Sequence, residues 1–222
     1  MLKKLTFTGI DNKVNIEELI ELKNKYPLIE FGFLISKNNT NKNIDNRFPS
    51  LIILQKFKNK NLNLALHVCG SLASQVIKEG SLKCVKEFMG SYFDLFERVQ
   101  LNIVGHTAKE KLVETFGKEV IIQTNLDVEK SKQVFELYKG LENITFLTDK
   151  SGGKGIDSEF DYFDLDYQGF SGGLNRENIL SKKEEIEILF EKDFWMDMES
   201  SVRTNNLFDT KKIEEICELI FK

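Results

Sequence analysis

The sequence is poor in residues that break, cross-link or anchor a chain. Only two prolines, Pro27 and Pro49, interrupt its 222 residues. No proline- or serine-rich linker divides it, so a single domain over residues 1–222 is expected. Three cysteines (Cys69, Cys84 and Cys217) are too few and odd in number for a disulfide framework, and reduced thiols in a cytoplasm are the expectation. Two histidines complete a thin set of soft ligands, and no third ligand of matching spacing joins His67 and Cys69. Neither a metal site nor a cofactor is expected. No apolar run approaches the roughly 20 residues that cross a bilayer. The start, "MLKKLTFTGID", turns polar too soon for a signal peptide. A formal net charge of −4 supplies no excess of positive charge for a nucleic-acid surface. What is present is an ordinary globular balance, 41% hydrophobic and 30% charged, in a chain long enough for one well-cored domain.

Short β-branched or aromatic runs alternate with amphipathic stretches throughout. The strand-like runs are "LTFTGID" (5–11), "LIEFGFLIS" (28–36), "LNLALHVCG" (62–70), "RVQLNIVG" (98–105), "EVIIQTN" (119–125), "NITFLTD" (143–149), "QGFSGG" (168–173) and "DFWMDMESS" (193–201). They recur every 20–35 residues or roughly so, the spacing of a βα unit. Between them, Ile16, Leu19 and Ile20, and later Ile213, Ile216, Cys217 and Ile220, follow the helical period. Asp209 or Thr210 caps the last helix. Several runs are almost continuously apolar, as parallel strands buried on both faces are. Eight such units predict a (β/α)8 barrel; the competing architecture is a doubly wound open sheet. The sixth helical segment, "IDSEFDYFDLDY", is acidic and short, and reads equally as loop.

A barrel gathers its chemistry at the C-terminal ends of its strands. There the sequence has Thr8, Gly9 and Asp11 (strand 1), His67 and Cys69 (strand 3), and Gln100 and Asn102 (strand 4). Strand 5 adds Gln123 and Asn125, and strand 6 adds Asp149 and Lys150. Strand ends are polar in any fold, so the set matters more than any member. "GFSGGLNREN" then places Gly172 and Gly173 after strand 7, with Asn175 near a helix cap. "MESSVRTN" places Ser200, Ser201 and Arg203 after strand 8. Loops at these two positions commonly hold a phosphate through backbone N–H groups, with hydroxyl and guanidinium donors added. A tight turn and a serine cap are the alternative. "SGGKG", with Gly152, Gly153 and Lys154, follows strand 6 and reads either as a lid over the same ligand or as a mobile turn.

The order of these stretches resembles phosphoribosylanthranilate isomerase, a (β/α)8 enzyme that performs an Amadori rearrangement on a phosphorylated aminosugar. The matching stretches are "FTGID", "NRFPS", "VQLN", "FLTDKSGGKG", "SGGLNRENI", "MDMESSVRTN" and "FDTKKIEEI". The resemblance implies Asp149 as general acid, Arg47 as a hold on the far end of the substrate, and Gly172, Gly173, Ser200 and Ser201 as the phosphate grip. It also implies a cysteine base at the end of strand 1, where this chain has Thr8. An unassisted threonine hydroxyl is far too weak an acid to replace a thiolate near pH 7. The strand-4 histidine is likewise absent, since "QLNI" stands there.

Candidate replacement bases are His67, Cys69 and Asp11. His67 and Cys69 share a strand face at i, i+2, although buried histidines and cysteines commonly just fill cores. His106, Cys84 and Cys217 have no partner pattern. Three functions stay open. One is a sugar-phosphate isomerase acting by enediol or enolamine proton transfer. Another is a binder that senses or sequesters a phosphoribosyl or nucleotide-like ligand. The third is a scaffold using the aromatics of "CVKEFMGSYFDLFERV" for a protein partner. The expected partner is a phosphorylated small molecule, with no nucleic acid and no membrane, and the chain a monomer or homodimer.

Overall fold

The computed structural model describes residues 1–42, 44–103, 112–124, 128–149 and 159–222. Its strands are β1 (Leu2–Thr8), β2 (Ile29–Ile35), β3 (Leu64–Cys69), β4 (Arg98–Asn102), β5 (Glu119–Thr124), β6 (Ile144–Thr148), β7 (Tyr167–Ser171) and β8 (Asp193–Met198). Each pairs in parallel with the next, and β1 closes on β8 through pairs such as Leu5 with Met196 and Phe7 with Met198. The sheet is therefore a closed eight-stranded barrel, not an open one. All seven residues of β2, "IEFGFLI", are buried, because a barrel strand has helices on one side and the barrel interior on the other.

Alternation along the strands sorts the side chains into two cores. Phe7, Phe31, Leu66 and Val99 face outward into a large apolar layer shared with Ile16, Leu19, Val76, Ile213 and Ile216. The inner core is small: Ile121, Leu147 and Trp195, with Tyr167 packed against them. Gly169 makes room for the indole, since a Cβ there would run into Trp195 and lie 2.6 Å from Leu147. Leu34 and Ala65 add small apolar contributions, and much of the remaining interior is polar. Arg98, 1% exposed, lies 4.4 Å from the Trp195 ring, pairs with Glu30 at 3.0 Å and reaches Glu119 at 3.2 Å. Thr6 donates to the same Glu30 carboxylate at 2.9 Å. A buried guanidinium needs such matching charge, because an unpaired ion inside a protein is strongly unfavourable.

The outer helices are α1 (Ile16–Lys25), α2 (Ser71–Glu79), α3 (Lys83–Met89), α4 (Val128–Tyr138), α5 (Ile179–Phe190) and α6 (Thr210–Ile220). Asp209 caps α6, its carboxylate accepting from the N–H groups of Lys211 and Lys212. Several boundaries differ from the sequence-based expectation. β1 ends at Thr8, so Asp11 lies beyond the strand. A 3-10 segment, Leu51–Phe57, runs between β2 and β3 where a crossover helix is usual. Residues 159–166 contain no helix, as their acidic composition suggested. In the aromatic segment 84–99, Phe93 and Phe96 are buried at 1% exposure and Phe88 and Tyr92 pack against the core. That removes the exposed aromatics on which the scaffold reading rested.

A two-stranded hairpin, β9 (Arg203–Thr204) and β10 (Leu207–Phe208), was not anticipated. Asn205 and Asn206 form its turn at φ 51° and 59°, a conformation asparagine tolerates better than most residues. No helix among the described residues is long and apolar enough to cross a membrane.

Candidate functional site

A cavity of about 750 Å³ opens at the C-terminal ends of the strands. Among the described residues, four carboxylates stand in its wall, two of them, Asp149 and Asp197, at strand ends. Asp149 follows β6 and accepts a hydrogen bond from Gln123 Nε2 at 2.6 Å. Asp197 sits near the end of β8 and accepts from Thr8 Oγ1 at 2.7 Å. Asp197 is 8% exposed, and burial pushes its carboxyl up to about 7 against the pull of the Thr8 hydroxyl. Glu199, Glu30 and Asp149 raise it further through like charge. Thr8 itself is held under β2 by close packing. A Cβ on Gly32 would meet Thr8 Oγ1 and lie 2.9 Å from Thr8 Cβ, so only glycine leaves the hydroxyl free to reach Asp197.

The geometry and burial weigh against the candidate His67–Cys69 pair as a base. His67 lines the cavity, whereas Cys69 does not and instead accepts from Asn102 Nδ2 at 3.4 Å. Burial, with Arg98 adding to it, pushes the His67 imidazole down to about 3. Burial also pushes the Cys69 thiol up to about 12. A thiolate–imidazolium pair requires the opposite of both shifts. His67 Nε2 is buried with no hydrogen-bond partner among the described residues.

Asp11 is engaged structurally. Its carboxylate accepts from Lys13 N at 2.8 Å and Phe208 N at 2.6 Å, tying the β1–α1 loop to the hairpin. Arg203 completes that tie by donating to the Gly9 carbonyl and, at 2.7 Å, to Asn206 O, with Asp11 3.8 Å away. Arg203 lies in the cavity wall, but its planar fork is directed at carbonyls of the protein.

The glycine–serine loops do converge. Gly173 and Ser200 line the main cavity and also a second one of about 480 Å³ that contains Ser201. Gly172 and Gly173 adopt φ 111° and 66°, which side chains would strain. Asn175 and Asn178 both donate to Gly173 O at 3.0 Å, fixing the loop. Asn175 thus builds the turn before the helix, and α5 itself starts at Ile179 after Asn178. Ser201 Oγ is buried without a partner among the described residues, and Lys212 stands in the same second cavity. After β8 the chain makes only a three-residue 3-10 turn, Ser200–Val202.

At the mouth, Arg47 is gripped by its neighbours. Its Nη2 lies 2.7 Å and its Nε 3.0 Å from Asp45 Oδ2, and its Nη1 lies 3.3 Å from Glu199 Oε1. Burial raises the Glu199 carboxyl above its ordinary value although Arg47 opposes it. Arg47 itself is raised, chiefly by the Asp45 hydrogen bond. Gly152, Gly153, Lys150, Lys154, Asn125 and His106 lie outside the described residues.

Asp45, Asp197 and Glu199 are site residues that sequence reasoning passed over. The last two fall inside the quoted "MDMESSVRTN", and alternation from Trp195 puts 195, 197 and 199 on one face. Among the described residues, no group of three His, Cys, Asp or Glu side chains is arranged to hold a metal ion.

This architecture, a closed (β/α)8 barrel with a polar cavity at the C-terminal mouth, defines the fold class. Within it, the chain is similar to solved phosphoribosylanthranilate isomerases. The dimeric enzyme of Thermotoga maritima, solved as monomers, shares 16% identity at a TM-score of 0.59, covering 98% of this chain and 97% of that one. One solved in complex with reduced 1-(o-carboxyphenylamino)-1-deoxyribulose 5-phosphate has 16% identity and a TM-score of 0.58 over the same shares. That of Pyrococcus furiosus has 16% identity and a TM-score of 0.55 over 97% of this chain and 96% of its own. The likeness is one of fold across essentially the whole chain. No protein-family model matches the sequence, and no curated protein sequence does.

Proposed function

We propose that the cavity binds a phosphorylated sugar or phosphoribosyl compound and isomerises it between aldose and ketose forms, an Amadori-type reaction driven by Asp149 and Asp197. The observation that carries this reading is Asp197: a cavity-wall carboxyl, hydrogen-bonded by Thr8 and lifted to about 7, beside the position where a thiol base would stand. A base with its pKa near the operating pH is both populated and effective. Asp197 takes the proton from C2 of the open-chain substrate. A C1=C2 double bond forms, and the electron pair of C1=O or C1=N moves to the heteroatom, which Asp149 protonates. The resulting enediol or enolamine gives up the proton on its C2 oxygen or nitrogen as C1 gains one, leaving a ketone at C2, or an imine where C2 carries nitrogen, at unchanged composition. The phosphate rests on the loops of Gly172, Gly173, Ser200 and Ser201, a placement supported by the buried Ser201 hydroxyl, which has no partner among the described residues; Lys212 in the second cavity is held by the Arg203 carbonyl at 2.8 Å.

Exchange at C2 in deuterated water tests the reading. With ribose 5-phosphate, glucose 6-phosphate and glucosamine 6-phosphate, the wild type incorporates deuterium into at least one. Asp197→Asn and Asp149→Asn lose it by roughly 100-fold or more. Wild type and variants equally inert on every compound refute the catalytic role.

Thr8 favours a second reading, a barrel that keeps the ligand grip without turnover and senses or sequesters a phosphoribosyl or nucleotide-like molecule. A rise in melting temperature with a compound recovered unchanged and undeuterated selects that alternative.

A further inference from the structure

We infer that the mouth of the cavity, around Asp45, Arg47 and Glu199, selects a substrate whose non-phosphate end is an amine or a neutral polyol, and rejects one ending in a carboxylate. The inference rests on the proposed phosphorylated ligand and specifies its other end. An arginine in this position invites a carboxylate only if its fork is open. Here the fork is closed. Asp45 Oδ2 takes both Nη2 at 2.7 Å and Nε at 3.0 Å, its Oδ1 lies 3.3 Å from Nε, and Glu199 takes Nη1 at 3.3 Å. Asp45 is fixed in turn by the Arg47 N–H, 3.0 Å from Oδ1. A ligand carboxylate would have to displace two protein carboxylates and leave them facing it.

The surrounding charge points the same way. Among the described residues, the cavity wall carries Asp45, Asp149, Asp197 and Glu199 against Arg47 and Arg203. Arg203 is turned to the Gly9 and Asn206 carbonyls and to Asp11, and His67 is neutral, being held down to about 3 by burial. The one guanidinium at the mouth is therefore outnumbered by the two carboxylates that grip it. An ammonium placed by Glu199 relieves that imbalance, whereas a carboxylate adds to it.

Three sugar phosphates of equal carbon number separate the cases. Glucosamine 6-phosphate carries an ammonium near pH 7, glucose 6-phosphate is neutral apart from its phosphate, and 6-phosphogluconate carries a carboxylate. By calorimetry at pH 7 and about 0.1 M salt, where the screening length is about 10 Å, glucosamine 6-phosphate binds at least tenfold more tightly than 6-phosphogluconate. Glucose 6-phosphate falls between. The Asp45→Asn/Glu199→Gln double variant frees Arg47 and reverses the order, and the single Glu199→Gln variant at least halves the preference. Wild type that binds 6-phosphogluconate as tightly as glucosamine 6-phosphate, or a preference unaltered in Glu199→Gln, overturns the inference alone. Failure of all three compounds to bind overturns the phosphorylated-ligand reading and this inference with it.

Discussion

Replacing Asp197 by asparagine separates the electrostatics of this site from its shape. In the folded protein the carboxyl titrates near 7 and in an ordinary setting near 3.8, so between those values the folded state holds a proton that the unfolded chain has released. Stability then falls as pH rises through this window, by about 1.4 kcal/mol per unit and roughly 4 kcal/mol in all. Above pH 7 the full penalty of a buried charge is present; below 3.8 it is gone. Asparagine keeps an oxygen to accept from Thr8 and removes the charge. Its amide leaves donors that need partners, a pH-independent offset of about 1–3 kcal/mol. The sign of the offset does not matter to the test, because the change with pH is what counts. Between pH 5 and 8, the stability of Asp197→Asn relative to wild type should improve by about 3 kcal/mol. For a chain of this size that is a relative gain of about 6–12 °C in melting temperature. Urea unfolding of both proteins across the range measures it. A difference that stays constant within about 0.5 kcal/mol from pH 5 to 8 refutes the buried, elevated carboxyl.

Three other outcomes follow from the same contacts. Thr8→Val removes the hydroxyl hydrogen bond that pulls the titration of Asp197 down, so the acid limb of the exchange rate against pH should move upward; an unmoved limb excludes Asp197 as the titrating base. Arg98→Met leaves Glu30, at 1% exposure in the barrel interior, with only Lys4 3.9 Å away as counter-charge among the described residues and should cost about 3–5 kcal/mol in urea unfolding, part of which Glu30→Gln in the same chain restores. His67 is held at about 3, well below its usual 6.5, so it contributes stability that is lost as pH falls from 6.5. His67→Gln should flatten that loss relative to wild type between pH 6.5 and 4.5 in the same unfolding measurement.

The barrel was legible because its signals are local and repeated. Apolar runs such as "IEFGFLI" and "NITFLTD" recur at the βα spacing, and a closed parallel sheet needs both faces of each strand buried. The polar strand ends at Asp149, Gln123 and His67 were legible too, since strand alternation carries them to the mouth together. What escaped was set by contacts between distant parts of the chain. Nothing near Thr8 announces Asp197, which lies 189 residues away, and their 2.7 Å hydrogen bond exists only because β1 closes on β8. Arg47 looked like an open cation in "NRFPS", yet Glu199, 152 residues on, and Asp45 occupy its fork. Asp11 and Arg203 looked like chemistry and are bound into a hairpin that the sequence analysis missed, although the paired asparagines of "TNNL" carry its turn signal. The burial that weighs against a His67–Cys69 base is something a one-dimensional pattern does not disclose.

A crystal structure with glucosamine 6-phosphate bound tests the account most directly. The phosphate should lie within hydrogen-bond distance of Gly173 and Ser201, with the sugar's C1 and C2 between Asp149 and Asp197 and its amine toward Glu199. A phosphate seated away from the loops after β7 and β8, with neither aspartate reaching the sugar, contradicts it.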